Sequence, residues 1–234
     1  MSPCLILCGG LGTRLQSVMQ GRQKVMADID ERPFLEILVG YLAAQGFRRF
    51  IFCAGFGADA VEEHFARNRP KGVTIMVSRE EAPLGTAGAV KNAEGLISSD
   101  RFFVVNGDSF CPFSCSEMHD SHLARGAAAS IALVSAEPTS DGGFVQLDEG
   151  SRIVGFREKS HAGSFSYLNA GTYLLERTIL GRIPVGRKYS FETELFPELR
   201  EEKLFGFDTR SRLYDIGTPE RLALFRRACK EILA

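Results

Sequence analysis

Long apolar runs are missing from this sequence. No stretch approaches the roughly 18 residues that a membrane span requires, so no membrane partner is expected. The first apolar run is too short for a signal peptide and no basic leader precedes it, which makes a cytoplasmic location the expectation. An excess of one charge is missing too. Lys and Arg number 28 against 29 Asp and Glu, a formal net charge of −1. Such a balance supplies no global field to gather nucleic acid or anionic lipid, so any anion must be held by local arrangement. Cysteines are few and unframed. Cys4, Cys8 and Cys53 sit in apolar strand-like runs, where a free thiol acts as a small hydrophobe. Cys111 and Cys115 form a C-x3-C pair whose only nearby histidines are His119 and His122, a spacing unlike that of zinc sites. Free thiols in a reducing compartment are the better reading. Linkers, low-complexity tracts and internal repeats are absent, and without a hexapeptide repeat there is no C-terminal β-helix to expect.

What is present is ordinary in composition and regular in pattern. The 234 residues are 44 % hydrophobic and 24 % charged, enough for a substantial core. Up to about residue 135, strand-like and helix-like segments alternate. "PCLILC" reads as a strand, 33–46 as a helix ended by Gly46, 49–55 as a strand, 58–68 as a helix and 72–78 as a strand. Then 86–97 reads as a helix, 101–108 as a buried strand, 116–125 as a helix and 128–134 as a strand. This rhythm implies an α/β fold, a mainly parallel sheet with helices on both faces, and ligands at the carboxyl ends of the strands. Beyond about residue 140 the segments "GFVQLD", "RIVGF" and "SYLNAGTYLLE" look like an antiparallel insertion. A helical segment at 191–201, a strand at 203–208, a short strand in "RLYDI" and a helix from Pro219 complete the chain. One domain over 1–234 is expected, with the alternating part at about 1–135, an inserted part at about 136–210 and a closing strand and helix at 211–234.

The chemistry starts where the first strand stops. "CLILCGGLGTRL" ends a strand at Gly9, Gly10 and Gly12, leaving backbone N–H groups that no Cβ shields. Such a loop can wrap a phosphate, and Arg14 adds a charged fork matched to phosphate oxygens. Two common motifs fail here: G-x-G-x-x-G meets Leu15 where its last glycine should be, and no lysine stands where a P-loop requires one. By itself the loop could equally be a plain strand-to-helix turn.

The stretch "GGLGTRL" resembles the G-G-x-G-[ST]-R signature of the sugar-nucleotidyltransferases, which join a sugar 1-phosphate to a nucleoside triphosphate and release pyrophosphate. Lys24 in "GRQKVM" takes the place of the family's lysine, with Gln23 where the family usually has proline, and "VMADI" reads as the strand that follows. The similarity continues in family order through "PLGTAGAV" (83–90), "VNGDSF" (105–110), "FREKS" (156–160), "LNAGTYLL" (168–175) and "YDIGTPE" (214–220). In length and in "EEAPLGTAG" the chain most resembles the short bacterial guanylyltransferases of D-glycero-α-D-manno-heptose 1-phosphate. It also resembles the catalytic half of mannose-1-phosphate guanylyltransferases.

The resemblance implies a Rossmann-like nucleotidyltransferase fold, a mixed and mostly parallel sheet with a small antiparallel sugar-binding insertion. It implies an enzyme making a nucleotide sugar for a capsule, lipopolysaccharide or S-layer glycan. Nucleotide would be bound by Leu7, Gly9, Gly10, Gly12, Thr13, Arg14, Lys24, Glu80, Gly85 and Thr86. Arg14 would hold the leaving phosphates, Lys24 would neutralise the α-phosphate, and Gly85 would let backbone approach the base. Asp108 and Asp215 would hold Mg2+, which takes one or two carboxylates plus phosphate oxygens; each alone reads equally as a turn or capping aspartate. Gly143, Glu158, Lys159 and Asn169 would bind the sugar phosphate, with Tyr167, Tyr173 and Phe191 as core or pocket wall. Glu80 or Glu81 would accept from guanine N1–H and N2–H2 together, which favours GTP, although both acids could be solvated at a strand end. Competing readings are a uridylyl or thymidylyl transferase, a molybdopterin-type guanylyltransferase, and a non-catalytic sugar-nucleotide sensor. Retention of Arg14, Lys24, Asp108 and Asp215 together disfavours the last. The sequence is compatible with a homo-oligomer.

Overall fold

The computed structural model of the chain describes residues 2–10, 15, 19, 21–136, 142–158, 166–200 and 203–232. Its centre is a run of parallel strands. β1 (Cys4–Leu7) lies between β4 (Arg49–Ala54) and β6 (Arg101–Asn106), and β5 (Thr74–Arg79) extends the sheet beyond β4. Alternation along these strands explains why helices cover both faces. Cys4 and Ile6, Phe50 and Phe52, and Phe103 and Val105 join one buried cluster, while Leu5, Ile51, Phe102 and Val104 join another. A period of two puts successive side chains on opposite faces, so a strand apolar throughout must be covered twice.

The first cluster is closed by α1 (Phe34–Ala44), α2 (Ala58–Asn68), α4 (Cys115–Ala124) and the final helix α6 (Pro219–Ile232), and the second by α3 (Gly85–Asn92) and the short α5 (Phe196–Leu199). Aromatic rings fasten α6 in place. Phe225 meets Phe34 of α1 at 4.9 Å and Phe110 at 5.5 Å, contacts each worth about 0.5–1.5 kcal/mol beyond the area they bury.

The alternation expected up to residue 135 breaks at its last strand. β8 (Ala129–Ser135) does not lie beside β6; β11 (Tyr167–Glu176) enters between them, antiparallel to both. β9 (Gly143–Leu147) and β10 (Ile153–Glu158) continue the sheet outward from β11, and β12 (Leu204–Asp208) pairs parallel with β8. The antiparallel strands therefore share the main sheet through β11. "VMADI" is not one strand either. Lys24–Met26 forms a 3-10 turn closed by Met26 and Ala27 N–H groups, and only β2 (Asp28–Ile29) pairs, with β3 (Arg32–Pro33). The 191–201 helix is a wide π-type turn at Phe191–Leu195 running into α5. β7 (Ser109–Phe110) and β13 (Tyr214–Asp215) form a separate two-stranded pair.

All six cysteines are free and buried. Burial pushes the Cys111 and Cys115 thiols up to about 11, so neither is a thiolate near neutrality. Among the described residues no group of three or more metal-ligating side chains forms, and no helix is long and apolar enough to cross a membrane. His122, beside the cysteine pair in sequence, is committed elsewhere. Its Nδ1 meets Ser130 Oγ at 2.8 Å and its Nε2 meets Glu176 Oε1 at 3.2 Å, and Arg101 donates to the same carboxylate oxygen at 2.8 Å.

Burial outweighs Glu176 and pulls the His122 imidazole below its ordinary value of 6.5. The unfolded chain then binds the proton more readily than the folded one, so this site's stabilisation is complete above that ordinary value and falls as the pH drops below it. Thermal denaturation between about pH 5.5 and 7.5 should show the melting temperature falling toward acid, with a shallower slope in His122→Gln. An unchanged slope in that variant would remove His122 from the acid response.

Candidate active site

Parallel pairing brings the carboxyl ends of β1, β5 and β6 to one edge of the sheet. A cavity of about 540 Å3 opens there. Leu7, Gly9 and Gly10 line it from the end of β1, Glu80 from the end of β5, and Asn106 and Asp108 from the end of β6. Pro83, Gly85, Thr86 and Ala89 contribute from the turn into α3, and Lys188 adds an exposed ammonium at the rim.

Of the two candidate acids, Glu80 is the one in the cavity wall, while Glu81 is exposed. Glu80 Oε1 lies 2.8 Å from where a Cβ of Gly9 would stand, so the missing side chain at Gly9 makes room for this carboxylate. Glu80 Oε2 accepts from the Leu84 N–H at 3.1 Å. Burial raises its pKa and the Leu84 bond partly opposes the rise.

Gly85 and Thr86, both in the cavity wall, also tie the chain to itself. Gly85 has φ +72°, and a Cβ there would lie 2.7 Å from the Tyr189 carbonyl oxygen. That carbonyl accepts from the Ala87 and Gly88 N–H groups at 3.0 Å each, capping the first turn of α3. The glycine is therefore required by a neighbouring backbone of the same chain, in addition to lining the cavity. Thr86 Oγ1 donates to Glu192 Oε2 at 2.8 Å and accepts from the Phe191 N–H at 2.9 Å. Glu192 also accepts from Tyr173 Oη at 3.0 Å and from Ser190 Oγ at 2.7 Å.

Lys24 and Asp108, 84 residues apart in sequence, form an ion pair with Nζ 2.6 Å from Oδ2. Lys24 is nearly buried at 11 % side-chain exposure, while Asp108 at 40 % faces the cavity. Asp215 is brought beside them by the β7–β13 pair, in which it lies opposite Ser109, and the Ile216 N–H donates to the Asp108 carbonyl at 3.0 Å. Its carboxylate accepts from the Gly217 N–H at 2.8 Å and from Arg221 at 3.2 and 3.3 Å. Two carboxylates on adjacent strand ends, with no third ligand among the described residues, do not make a zinc or calcium cage. They suit a magnesium ion that completes its shell with water and phosphate oxygens.

Of the residues expected at the sugar, Gly143, Asn169 and the backbone of Glu158 lie on the neighbouring strands β9, β11 and β10. Gly143 pairs with Glu158, and the β9–β11 register runs from Tyr167↔Val145 to Leu168↔Phe144, which brings Asn169 to the level of Gly143. A register shift in β11 between Asn169 and Tyr173 bends the strand here. Gly171, at φ +70°, leaves a space that the Asn106 side chain fills. Asn169 is partly committed: its Oδ1 accepts from the Gly171 N–H and its Nδ2 donates to Tyr173 Oη, both at 2.9 Å. Tyr173 and Phe191 are core residues, each fully buried. Gly12, Thr13, Arg14, Lys159 and the Glu158 side chain lie outside the described residues. Asn106, Lys188 and Glu192 were not singled out from sequence. Asn106 stood inside a quoted motif, but nothing in the spacing of Lys188 or Glu192 places them at this edge.

The nucleotidyl transferase family profile matches residues 4–231. A D-glycero-alpha-D-manno-heptose 1-phosphate guanylyltransferase of Aneurinibacillus thermoaerophilus is 34 % identical over 229 residues, covering 97 % of each chain. The mannose-1-phosphate guanylyltransferase of Mycobacterium tuberculosis is 34 % identical over 219 residues, covering 92 % of this chain and 61 % of its own. Crystal structures of HddC from Yersinia pseudotuberculosis superpose with TM-scores of 0.87 alone and 0.84 complexed with GMP-PN, at 33 % and 30 % identity, over 99 % of this chain and 100 % of theirs.

The glycines at this edge should respond differently to an added methyl. Gly85→Ala meets both a positive φ and fixed backbone, and should lower stability by about 2–4 kcal/mol in denaturant unfolding. Gly10→Ala, with nothing within 4 Å of its Cβ, should change stability by less than about 1 kcal/mol. Equal losses would mean that Tyr189 does not fix the entry to α3.

Proposed function

The chain belongs to the nucleotidyl transferase family, and from that premise we propose that it joins GTP to a sugar 1-phosphate, releasing pyrophosphate. The acceptor we favour is D-glycero-α-D-manno-heptose 1-phosphate. That choice is supported by the heptose guanylyltransferase similar over nearly its full length. Mannose 1-phosphate is the second candidate, on the similarity to the mycobacterial enzyme. A cytoplasmic, magnesium-dependent enzyme supplying glycan synthesis fits this reading.

The observation that carries the base assignment is Glu80 against Gly9. A carboxylate fixed in the cavity wall can accept from N1–H and N2–H2 of guanine at once. Uracil and thymine present one donor between two carbonyl oxygens and would leave the acid poorly paired. The phosphates would run from the glycine loop toward Lys24 and Asp108. An oxygen of the sugar phosphate attacks the α-phosphorus, and the bond to the bridging oxygen breaks with its electrons passing to pyrophosphate. Since the nucleophile is already an anion, no general base is required, and the protein's task is positioning and charge stabilisation. Lys24 would oppose the negative charge gathering on the α-phosphoryl oxygens, and Arg14 would hold the departing phosphates. Asp108 and Asp215 would hold Mg2+, which would supply charge neutralisation for the reacting phosphates. Gly143, Glu158, Lys159 and Asn169 would seat the sugar phosphate.

Pyrophosphate release should be measured with each of GTP, UTP, dTTP and CTP against manno-heptose and mannose 1-phosphates. A lost charged hydrogen bond and an unpaired buried acceptor cost on the order of 2–4 kcal/mol, so GTP should lead by at least about tenfold in kcat/KM. Glu80→Gln should narrow that lead more than it slows turnover. Equal use of UTP or dTTP would overturn the guanylyl assignment and leave the transferase standing.

The charged centre gives a second test. Asp108→Asn and Asp215→Asn should each reduce turnover by about a hundredfold or more while retaining the wild-type melting temperature within a few degrees. Lys24→Met should lower kcat far more than it raises KM for nucleotide, as befits a charge used chiefly in the transition state. A pure KM effect would make Lys24 a binding group only.

A further inference from the structure

Gln23 immediately precedes Lys24, yet it is 2 % exposed. Its side-chain Nε2 donates to the carbonyl oxygen of Cys8, the residue just before Gly9. Its Cβ sits 2.9 Å from where a Cβ of Gly57 would stand, and Gly57 has φ +73°, so the side chain threads between the ends of β1 and β4. Its Oε1 is buried without a hydrogen-bond partner among the described residues. A residue there merely to fill space would be better apolar, because an unpaired buried oxygen is a cost that a leucine or methionine avoids. The donor half of the amide is what the position uses.

The backbone at Gln23 has φ −64° and ψ 137°, and its carbonyl accepts from the Met26 N–H at 2.9 Å to start the turn carrying Lys24. That φ is the one a pyrrolidine ring enforces. Here an ordinary residue adopts it, and the bond to Cys8 holds it in place. We propose that Gln23 is a positioning residue for Lys24, its amide staking the lysine's turn to the end of the glycine-loop strand so that the ammonium stays at Asp108. The consequence for turnover rests on the function proposed above; the placement of the lysine does not.

Two substitutions separate this role from core filling. Gln23→Ala removes the stake and frees φ, whereas Gln23→Pro removes the stake but locks the same φ. The first readout is the rate of reductive methylation of Lys24 in the free protein, followed by mass spectrometry. Gln23→Ala should raise it by about fivefold or more, because a lysine at 11 % exposure is released from its ion pair, and Gln23→Pro should stay within about twofold of wild type. The second is steady-state pyrophosphate release. Gln23→Ala should lower kcat by about tenfold with KM for GTP changed less than about twofold, and Gln23→Pro should recover most of the loss. Wild-type Lys24 labelling and kcat in Gln23→Ala would overturn the proposal, and so would a Gln23→Pro protein no better than Gln23→Ala. Should Gln23→Ala fail to fold, Gln23→Met, which fills the space without the donor, takes its place: faster Lys24 labelling than wild type supports the stake, and wild-type labelling overturns it. If wild-type protein releases no pyrophosphate with any substrate pair, the proposed function fails while the labelling comparison still stands.

Discussion

Parallel pairing of β6, β1, β4 and β5 is the constraint from which the rest follows. Strands that run the same way must end at the same edge, so residues distant in sequence meet there without any local motif linking them. Gly9, Glu80 and Asp108 are neighbours in the cavity for that reason. The side chains then settle their own geometry: a missing Cβ admits Glu80, and one ion pair draws Lys24 to Asp108. The strands can end in polar loops at this edge because both faces of the sheet behind them are sealed by apolar residues.

Much of this was legible in the sequence, and the limits of legibility are physical. The helix over 58–68 coincides with α2, whose apolar residues recur at helical spacing, and β1, β4 and β6 are apolar runs bounded by turn residues. What periodicity does not encode is pairing order. β8 reads as one more strand in the series, but β11 outcompetes it for β6, and only the register of hydrogen bonds decides that. Residues 25–29 read as a strand because their apolar residues resemble one, while the local N–H groups close a 3-10 turn at Lys24–Met26.

The candidate site divides along the same line. Gly9, Gly10, Glu80 and Asp108 can be picked out by the turns that end their strands, and the structure places them around one cavity. Glu80 separates from Glu81 only in three dimensions, where Glu80 meets Gly9 in the cavity wall and Glu81 is exposed. Gln23 stood out as a departure in a quoted motif, but its bond to Cys8 spans fifteen residues and could not be read from spacing. Glu192, which gathers hydroxyls from Thr86, Tyr173 and Ser190, lies in a segment whose helical pattern says nothing of where its acid points.

The cap on α3 changes what the cavity offers an anion. An open helix N-terminus is an attractive seat for any anion. Here the Tyr189 carbonyl already occupies the N–H groups of Ala87 and Gly88, two of the donors such a seat would use. The half-buried Glu80 carboxylate nearby repels phosphate further. What the helix start would have offered an anion is thus partly spent on the protein's own backbone, and the cations left near the cavity are side chains, Lys188 at its rim and Lys24 beside Asp108.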